Sequence, residues 1–323
     1  MITSDNVISD TIVVEYFNSH PNDCLLDIET TGFNKITDTI IILGLLYKNN
    51  NEIHLLQWAC ESLSDEKLVI TSFLEFLKEK KHFITYNGEQ FDWKFIEKKC
   101  ELYNLIMDSF THFDLYIRLK PHFSILPFDD LKLNTLITYF DSEAIIKGSG
   151  ADCVHWYHMY LKKNDISFLD SIMEHNYSDL IGLCIAQKAL SLLDSLLTIE
   201  IRDSIIRLVN YQIDKNMIRL SGQIESIGPN LHSAEIYLPY SSLILNLKNS
   251  LLSVDLEFRI LKLDDSTKLL ISDTNALKIA PLKSSVFGLP PNVIPLAIQV
   301  DKKSKLLIDS IKWVIKALYE QAF

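Results

Sequence analysis

The segment "DCLLDIETTGF", residues 23–33, places two acidic side chains, Asp27 and Glu29, at the end of an apolar run. An apolar run of this length predicts a buried strand. Because strand side chains alternate between faces, residues i and i+2 project from one face, so these two carboxylates lie side by side. Such carboxylates repel each other, and burial penalises each charge, unless a proton or a cation lies between them. A proton or a cation therefore has to compensate the charge of these two carboxylates when the strand is buried.

Length, composition and cysteine spacing limit the classes of protein to which this chain can belong. The 323 residues suffice for one large domain or two smaller ones, and 48% are hydrophobic and 23% charged, as in soluble globular proteins. The uninterrupted apolar runs are shorter than the roughly 20 residues of a membrane-spanning helix, and the first ten residues lack secretory-signal features. Five cysteines without a CxxC pair argue against a disulfide framework or a zinc ribbon. We therefore expect a cytoplasmic protein without a membrane partner.

The acidic charge is concentrated in the first part of the chain. The net charge is −11, of which residues 1–195 contribute −13 (29 Asp/Glu against 16 Lys/Arg) and residues 196–323 contribute +2 (13 against 15). This balance argues against a protein that holds nucleic acid by bulk electrostatics. The asymmetry indicates two domains with different roles, which we place at 1–198 and 199–323.

Hydrophobic periodicity and turn signals predict a mixed α/β domain in the first part. Three apolar runs separated by turn residues predict an antiparallel meander, and a helix, a fourth strand and a mostly helical region follow them. The predicted strands are 23–30, 38–47, 52–58 and 82–87, and the predicted helical segments are 64–81, 89–102 and 128–198, the last with a break near 147–152. This order predicts a mixed sheet flanked by helices.

The second part has the pattern of a smaller β-rich (α+β) domain. Its predicted strands are 217–227, 233–240, 251–263 and 268–274, and an amphipathic helix is predicted over 304–321.

Two further acids and a histidine occupy positions that could complete a site with Asp27 and Glu29. Asp92 follows the Asn87-Gly88 turn and is expected in the first turn of a helix. His175 and Asp179 are four residues apart in a helical segment, so they project from one face.

Four converging carboxylates form a site for hard divalent cations. Two Mg²⁺ or Mn²⁺ ions roughly 3.5–4 Å apart would neutralise the acids and clamp an in-line phosphoryl displacement. His175 would orient or deprotonate the attacking water.

Each residue also has a structural interpretation. An Asp-x-Glu sequence at a strand end is commonly a solvated turn, Asp92 could cap its helix, and His175 could be an ordinary hydrogen-bonded helix residue. His112 and Asp114 fit either a supporting pair beside the site or a turn cap. The joint occurrence of the acids, in order and in these elements, favours the metal site.

The segments "LLDIETTGF", "ITYNGEQFD" and "HNYSDLIGL" resemble the three motifs of the DEDD superfamily of 3′→5′ exonucleases. The resemblance is closest to the YprB-like ribonuclease H-like family and covers roughly residues 20–195. His175 and Asp179 are separated by three residues, the spacing of the tyrosine subgroup of the superfamily, whereas the histidine subgroup has four. A histidine at the three-residue spacing resembles the YprB-like group.

The resemblance implies a ribonuclease H-like fold and a role for each motif residue. Asp27 would bridge two metals, Glu29 and Asp179 would complete the first metal site, and Asp92 would hold the second. The substrate would be the 3′ end of single-stranded DNA or RNA, and its contacts would come from Thr30, Thr31, Gly32 and Asn87.

The function predicted from the sequence is therefore a metal-dependent 3′→5′ exonuclease that hydrolyses single-stranded nucleic acid. Two alternatives remain at this stage: a nucleic-acid-binding module on an inactive nuclease fold, and a phosphodiesterase for small oligonucleotides. We recognise no family resemblance for the C-terminal domain. Its net charge of +2 would suit either binding of the nucleic-acid substrate or binding of a protein partner.

Overall fold

The computed structural model describes residues 1–80, 82–144, 146–202, 204–226, 233–239, 241–246, 249–282, 287–301 and 303–322. The chain packs into two compact units. The first comprises Met1–Pro121 and Phe128–Ala189, and the second comprises His122–Pro127 and Leu190–Phe323. The division into domains 1–198 and 199–323 stays a prediction.

The first unit is a mixed sheet with helices packed against it. Its elements are β1 (Ile2–Ile8), α1 (Thr11–Ser19), β2 (Cys24–Thr30), β3 (Ile40–Asn49), β4 (Glu52–Ala59), α2 (Glu66–Leu77), β5 (His82–Thr85), α3 (Asp92–Tyr103), β6 (Thr111–Asp114), α4 (Leu115–Leu119), α5 (Leu133–Phe140), α6 (Gly150–Lys163) and α7 (Ile166–Ala186). The chain continues into α8 (Lys188–Leu197).

The strand order of this sheet is β1-β4-β3-β2-β5-β6. The β1–β4, β4–β3 and β3–β2 pairs are antiparallel, and the β2–β5 and β5–β6 pairs are parallel. The predicted meander is thus confirmed, and so is the mixed sheet flanked by helices. Cys24, Leu25 and Leu26 of β2 are buried, as expected for a central strand covered on both faces.

A buried ion pair ties two helices to the start of β3. Lys99 Nζ of α3 lies 3.1 Å from Glu66 Oε2 of α2, and both side chains are at most 4% exposed. Glu66 also accepts hydrogen bonds from the backbone N–H of Ile40 (2.7 Å) and the hydroxyl of Tyr103 (2.5 Å). Ile40 pairs with Thr30 at the C-terminal end of β2. The network therefore holds the start of β3 in place beside the end of the strand that carries the two acids.

The helices of the first unit agree with the sequence pattern in part. The predicted helix 64–81 is α2, shorter at both ends (Lys81 lies outside the described residues). The predicted helix 89–102 is α3, which begins three residues later, at Asp92, so that Asp92 lies in its first turn as expected. The pattern missed β1, α1 and β6. These segments carry polar or short apolar runs whose partners lie far away in the sequence.

One helical stretch in the described part of the chain, Ile166–Leu197, is long and apolar enough to cross a membrane by length and composition. An 18-residue window of it has mean hydropathy 1.6, and 44% of that window is buried inside the fold. The uninterrupted apolar runs considered in the sequence are shorter than this stretch, which reaches its mean hydropathy only as an average over polar and apolar residues. The first part, α7, packs against β2, β3 and β4, which is the structural reason for its apolar composition.

The second unit is mainly antiparallel β-structure. Its elements are β7 (Thr198–Ile201), β8 (Ser204–Asp214), β9 (Met217–Ser226), β10 (Ala234–Leu238), β11 (Ser241–Asn246), β12 (Leu251–Glu257), β13 (Arg259–Lys262), β14 (Thr267–Asp273), β15 (Val293–Val300), β16 (Lys303–Leu306) and α9 (Ile308–Ala322). The described strands form two sheets, ordered β10-β11-β12-β9-β8-β7 and β13-β14-β15-β16.

The predicted β-rich character of this unit is confirmed, with two corrections. The predicted strand 251–263 is divided at Phe258 into β12 and β13, which belong to different sheets. The helix predicted from residue 304 begins at Ile308, because Lys303–Leu306 pair with β15 as strand β16. Ile227 and Tyr240, at the ends of two predicted strands, lie outside the described residues.

The buried ion pair gives a stability prediction. Replacing Lys99 by Met should lower the free energy of unfolding by roughly 3–5 kcal/mol, because Glu66 would keep a buried charge without its partner. The matched control is Lys98→Met, which removes an exposed pair with Glu101 (2.6 Å) and should cost less than about 1 kcal/mol. Urea denaturation measures both variants, and equal losses would contradict the account.

Candidate metal centre

The C-terminal end of β2 opens into a cavity of about 280 Å³ that collects the residues singled out in the sequence. The predicted catalytic residues that line it are Asp27, Glu29, Asp92, His175 and Asp179. The fold thus brings together side chains from β2, α3 and α7, and their roles in catalysis stay predictions.

Three of the four acids form a tight group. Asp27, Glu29 and Asp179 each offer a carboxylate oxygen, and these oxygens all lie within 4.8 Å of one another. Asp27 and Glu29 point from one face of β2, as the alternation of strand side chains requires, and α7 delivers Asp179 beside them. Three carboxylates at this separation can share one cation.

Asp92 reaches the same cavity from the first turn of α3. β2 pairs with β5 at Cys24 and Leu25, and further along β2 the backbone N–H of Ile28 donates to Asp92 Oδ1 at 3.1 Å. The carboxylate therefore takes the place of a strand partner and satisfies a buried amide.

The turn that presents Asp92 is held by Asp114 at the end of β6. The Asp114 carboxylate accepts hydrogen bonds from the backbone N–H groups of Asn87 and Glu89, both at 2.9 Å. Asn87 has a φ of 61°, a left-handed conformation that asparagine tolerates in turns. Of the two interpretations of Asp114, the structure supports a turn cap that positions a site residue, while His112 Nε2 lies 2.7 Å from Thr85 Oγ1.

His175 is buried, and its ring is oriented by the backbone. Nδ1 is hydrogen-bonded to the carbonyl oxygen of Lys147. A carbonyl oxygen can only accept, so Nδ1 carries the hydrogen. Nε2 faces the acids, 3.4 Å from Glu29 Oε1 and 3.7 Å from Asp179 Oδ2. This is the arrangement of a histidine whose second nitrogen is free to bind a metal or a proton.

The electrostatics of the cavity favour a positively charged occupant. Burial raises the pKa values of Asp27 and Glu29 well above their usual range, and repulsion from the neighbouring carboxylates raises them further. Burial also raises the pKa of Asp92 to about 7 and that of Asp179, the latter opposed by His175. Among the described residues that line the cavity there is no lysine or arginine. The acids therefore need protons or bound cations, and their oxygen ligands fit a divalent cation such as Mg²⁺ or Mn²⁺.

Asn176 of α7 is a supporting residue that the sequence motifs did not reveal. Its side-chain amide donates to Asp27 Oδ2 at 2.8 Å and to the Asp27 backbone carbonyl at 3.1 Å. Its own carbonyl oxygen accepts from Gln57 Nε2 at 2.8 Å. Asn176 is fully buried, so these bonds fix the rotamer of Asp27 without adding charge.

A glycine makes room for this contact. Gly44 of β3 pairs with Asp27 on one side and with Gln57 on the other. A Cβ atom at Gly44 would lie 1.9 Å from Asn176 Oδ1, so a larger residue would displace the amide. A lone glycine within the apolar run "IIILGLLY" was the signal in the sequence, since glycine inside a strand often marks a close approach.

Three of the four predicted substrate-binding residues line the cavity. Thr30, Gly32 and Asn87 are among its lining residues. Thr31 instead turns back on the chain, where its N–H donates to the carbonyl of Thr39 and its Oγ1 accepts from the N–H of Thr39, both at 2.9 Å. Whether any of them contacts a substrate stays a prediction.

The fold and the acidic cavity together define a ribonuclease H-like protein with a candidate metal centre. Residues 24–190 match the family model of the RNase_H superfamily. Because this match spans about half of the chain, the chain belongs to the RNase_H superfamily. No curated protein matches the sequence.

Some solved structures resemble the chain weakly. The family B DNA polymerase from the hyperthermophilic archaeon Pyrobaculum calidifontis has 20% identity, covering 54% of this chain and 25% of its own, with a TM-score of 0.43. E. coli exonuclease I in complex with a 5cy-dT13 oligonucleotide has 13% identity, covering 62% and 54%, with a TM-score of 0.30. The chain thus spans a quarter of the polymerase and about half of the exonuclease. With TM-scores below 0.5, these likenesses are too weak to bear on function.

The raised carboxyl pKa values give a prediction about stability and pH. Burial raises the pKa of Asp92 in the folded state to about 7, whereas the same carboxyl group in the unfolded chain has a pKa near 4. This group therefore lowers the free energy of unfolding as pH rises from 4 to 7. In metal-free buffer, Asp92→Asn should become increasingly more stable than the wild type over that range, and saturating Mg²⁺ should reduce the difference. A pH-independent difference between the two proteins in urea denaturation would contradict this.

A second prediction concerns Gly44. Replacing it by Ala should lower the free energy of unfolding by roughly 1–3 kcal/mol, as overpacking of a core does. Adding Asn176→Ala should recover part of the loss, because the clash would be removed. The control is Gly150→Ala, where an added Cβ meets nothing within 4 Å. Additive losses in the double variant would show that Asn176 is not the group displaced.

Proposed function

We propose that this chain is a metal-dependent nuclease that removes nucleotides from the 3′ end of single-stranded DNA or RNA. The observation that carries the proposal is the group of Asp27, Glu29 and Asp179 oxygens within 4.8 Å of one another, with the His175 Nε2 atom beside them. Superfamily membership supports a nuclease, and the direction and the strand preference rest on the resemblance of the motifs.

The acids supply the ligands for two divalent cations, Mg²⁺ or Mn²⁺. Asp27, Glu29 and Asp179 would hold one cation, and Asp92, with Asp27, would hold the other. When bound, such cations stabilise the negative charge that develops on the attacking and leaving oxygens of a phosphodiester. Asn176 keeps the Asp27 carboxylate in place, and Asp114 keeps the turn that delivers Asp92.

His175 is the proposed general base. Its Nδ1–H is fixed by the Lys147 carbonyl, so Nε2 is the nitrogen that can accept a proton from water. Glu29 and Asp179 lie on the same side of the ring and would stabilise the imidazolium that forms. The residue thus orients the water and then holds its proton.

An exposed aromatic side chain at the rim supports a single-stranded substrate. Phe33 lines the cavity and is 86% exposed. Its ring centroid lies 6.1 Å from that of Phe91, over which Lys35 Nζ sits at 5.9 Å. Aromatic faces next to lysines favour unpaired bases and phosphates. The small cavity volume fits the end of a strand better than a continuous duplex.

The finer family assignment and the location belong to the proposal as well. The three-residue gap between His175 and Asp179 favours a DEDD-type enzyme of the YprB-like group. The described cysteines are all free thiols, a state that suits the reducing cytoplasm.

The ion pairs of the second unit favour a role in protein docking or in structural support over a role in binding nucleic acid. Two arginines that could have contacted phosphate form salt bridges with carboxylates instead. Arg207 pairs with Asp194 and Glu225, and Arg219 pairs with Asp214 and Asp255. Their charges are largely balanced, so they attract phosphate weakly.

The central prediction is activity that depends on the acids and on divalent cations. Asp179→Asn should lower turnover by orders of magnitude, and His175→Gln should lower it by roughly 10²–10⁴-fold, the range of a general base. The matched control is Asp170→Asn, which changes an exposed acid on the same helix. Purified proteins are assayed with Mg²⁺, Mn²⁺ or EDTA, and undiminished cleavage in EDTA would overturn the assignment.

The substrate is tested with single-stranded oligonucleotides labelled at the 5′ end. A 3′→5′ exonuclease should shorten linear DNA or RNA in a ladder and leave circular single strands intact. Cleavage of circles would indicate an endonuclease, and cleavage confined to oligonucleotides of a few residues would indicate a small-oligonucleotide phosphodiesterase. Binding without cleavage under any metal would indicate an inactive nucleic-acid-binding module.

A further inference from the structure

A second group of metal-ligating side chains overlaps the acidic cluster. Glu29, Cys153 and His175 are all buried, and each offers one ligand atom, with these atoms all within 4.8 Å of one another. Cys153 of α6 is fully buried, and its thiol donates a hydrogen bond to Glu29. The motifs of the sequence did not include this cysteine.

The two groups differ in the metals that they suit. Asp27, Glu29 and Asp179 offer oxygen atoms alone, which hard cations such as Mg²⁺ prefer. A thiolate and an imidazole suit softer cations, and a sulfur, a nitrogen and a carboxylate oxygen are the usual ligands of Zn²⁺. His175 has the orientation of a zinc ligand, because its Nδ1–H is bound to a backbone carbonyl and Nε2 faces the other two groups.

We infer that Glu29, Cys153 and His175 form a Zn²⁺ site whose occupation excludes the arrangement of cations needed for catalysis. Zinc binding would convert the Cys153 thiol into a thiolate, with its proton released to solvent, and would end its hydrogen bond to Glu29. Asp179, whose Oδ2 lies 3.7 Å from His175 Nε2, or a water molecule would complete the coordination.

The inhibitory consequence rests on the proposed function, whereas the zinc site does not. Glu29 and His175 belong to both groups, so zinc removes one ligand of the hard-cation site and the proposed base. Zinc should therefore inhibit the enzyme even in excess Mg²⁺, and removing the sulfur should weaken the inhibition.

The metal site is tested without any assay of activity. Co²⁺, a spectroscopic substitute for Zn²⁺, is titrated into the metal-free 323-residue chain. The wild type should show a thiolate-to-cobalt charge-transfer band that Zn²⁺ abolishes, and Cys153→Ser should lack it. The matched control is Cys60→Ser, since Cys60 is also a buried cysteine with a hydrogen-bond acceptor, the carbonyl of Ile40 at 3.2 Å. A band that persists in Cys153→Ser, or that is absent from the wild type, would overturn the site.

A second measurement does not depend on the folding of a variant. The zinc X-ray absorption spectrum of the wild-type protein should contain a sulfur neighbour at about 2.3 Å. A shell of oxygen and nitrogen atoms alone would exclude Cys153 as a ligand.

The inhibitory role is measured as the zinc concentration that halves nuclease activity in saturating Mg²⁺, relative to each protein's own zinc-free rate. This concentration should rise at least about tenfold in Cys153→Ser, given that even indirect supports of a metal site change affinity by 10–100-fold, and should not change in Cys60→Ser. Equal inhibition of wild type and Cys153→Ser would refute inhibition through this site. A wild type that binds cobalt through sulfur but cleaves no substrate would instead refute the proposed function and leave the zinc site standing.

Discussion

Mutual repulsion among buried carboxylates at the end of β2 is the constraint on which this structure depends. β2 carries Asp27 and Glu29 on one face, and α7 adds Asp179 within the same few ångströms. Burial and repulsion together raise the pKa values of Asp27 and Glu29, so the folded state without metal keeps protons that free carboxyl groups would release. The fold concentrates negative charge in one cavity at a cost in its own stability, as functional sites commonly do.

The way the acids are held explains why the charge remains available to a ligand. The described contacts of three acids come from neutral donors: Asp27 receives the amide of Asn176, Asp92 the backbone N–H of Ile28, and Glu29 the thiol of Cys153. A fixed lysine or arginine would have neutralised the cluster permanently. Neutral donors set the geometry and leave the counter-charge to exchangeable species, protons or metal ions. The Cys153 sulfur and the His175 nitrogen lie beside the carboxylate oxygens. By the inference above, Zn²⁺ therefore competes with Mg²⁺ or Mn²⁺ for this cavity.

Much of the site was predictable because its signals are local. The alternation of β2 puts Asp27 and Glu29 together, the Asn87-Gly88 turn leads into the helix that begins with Asp92, and a four-residue spacing joins His175 to Asp179. The supporting residues were not predictable, because they depend on which elements cross. Asn176 matters since α7 passes over Gly44, and Cys153 matters since α6 lies against Glu29. Likewise β1 is mostly polar and β16 has only four residues, so the residues of these strands show little pattern of their own and their pairing partners define them.

The claim that the buried acids exist to bind divalent cations is tested most directly by diffraction from crystals soaked in Mn²⁺. Anomalous scattering locates manganese independently of any assay of activity. A manganese ion is expected within coordinating distance of Asp27, Glu29 and Asp179 in the wild type, and it should be absent from Asp27→Asn crystals treated identically. Wild-type crystals that hold no manganese in this cavity at saturating concentration, or that hold it elsewhere, would contradict the claim.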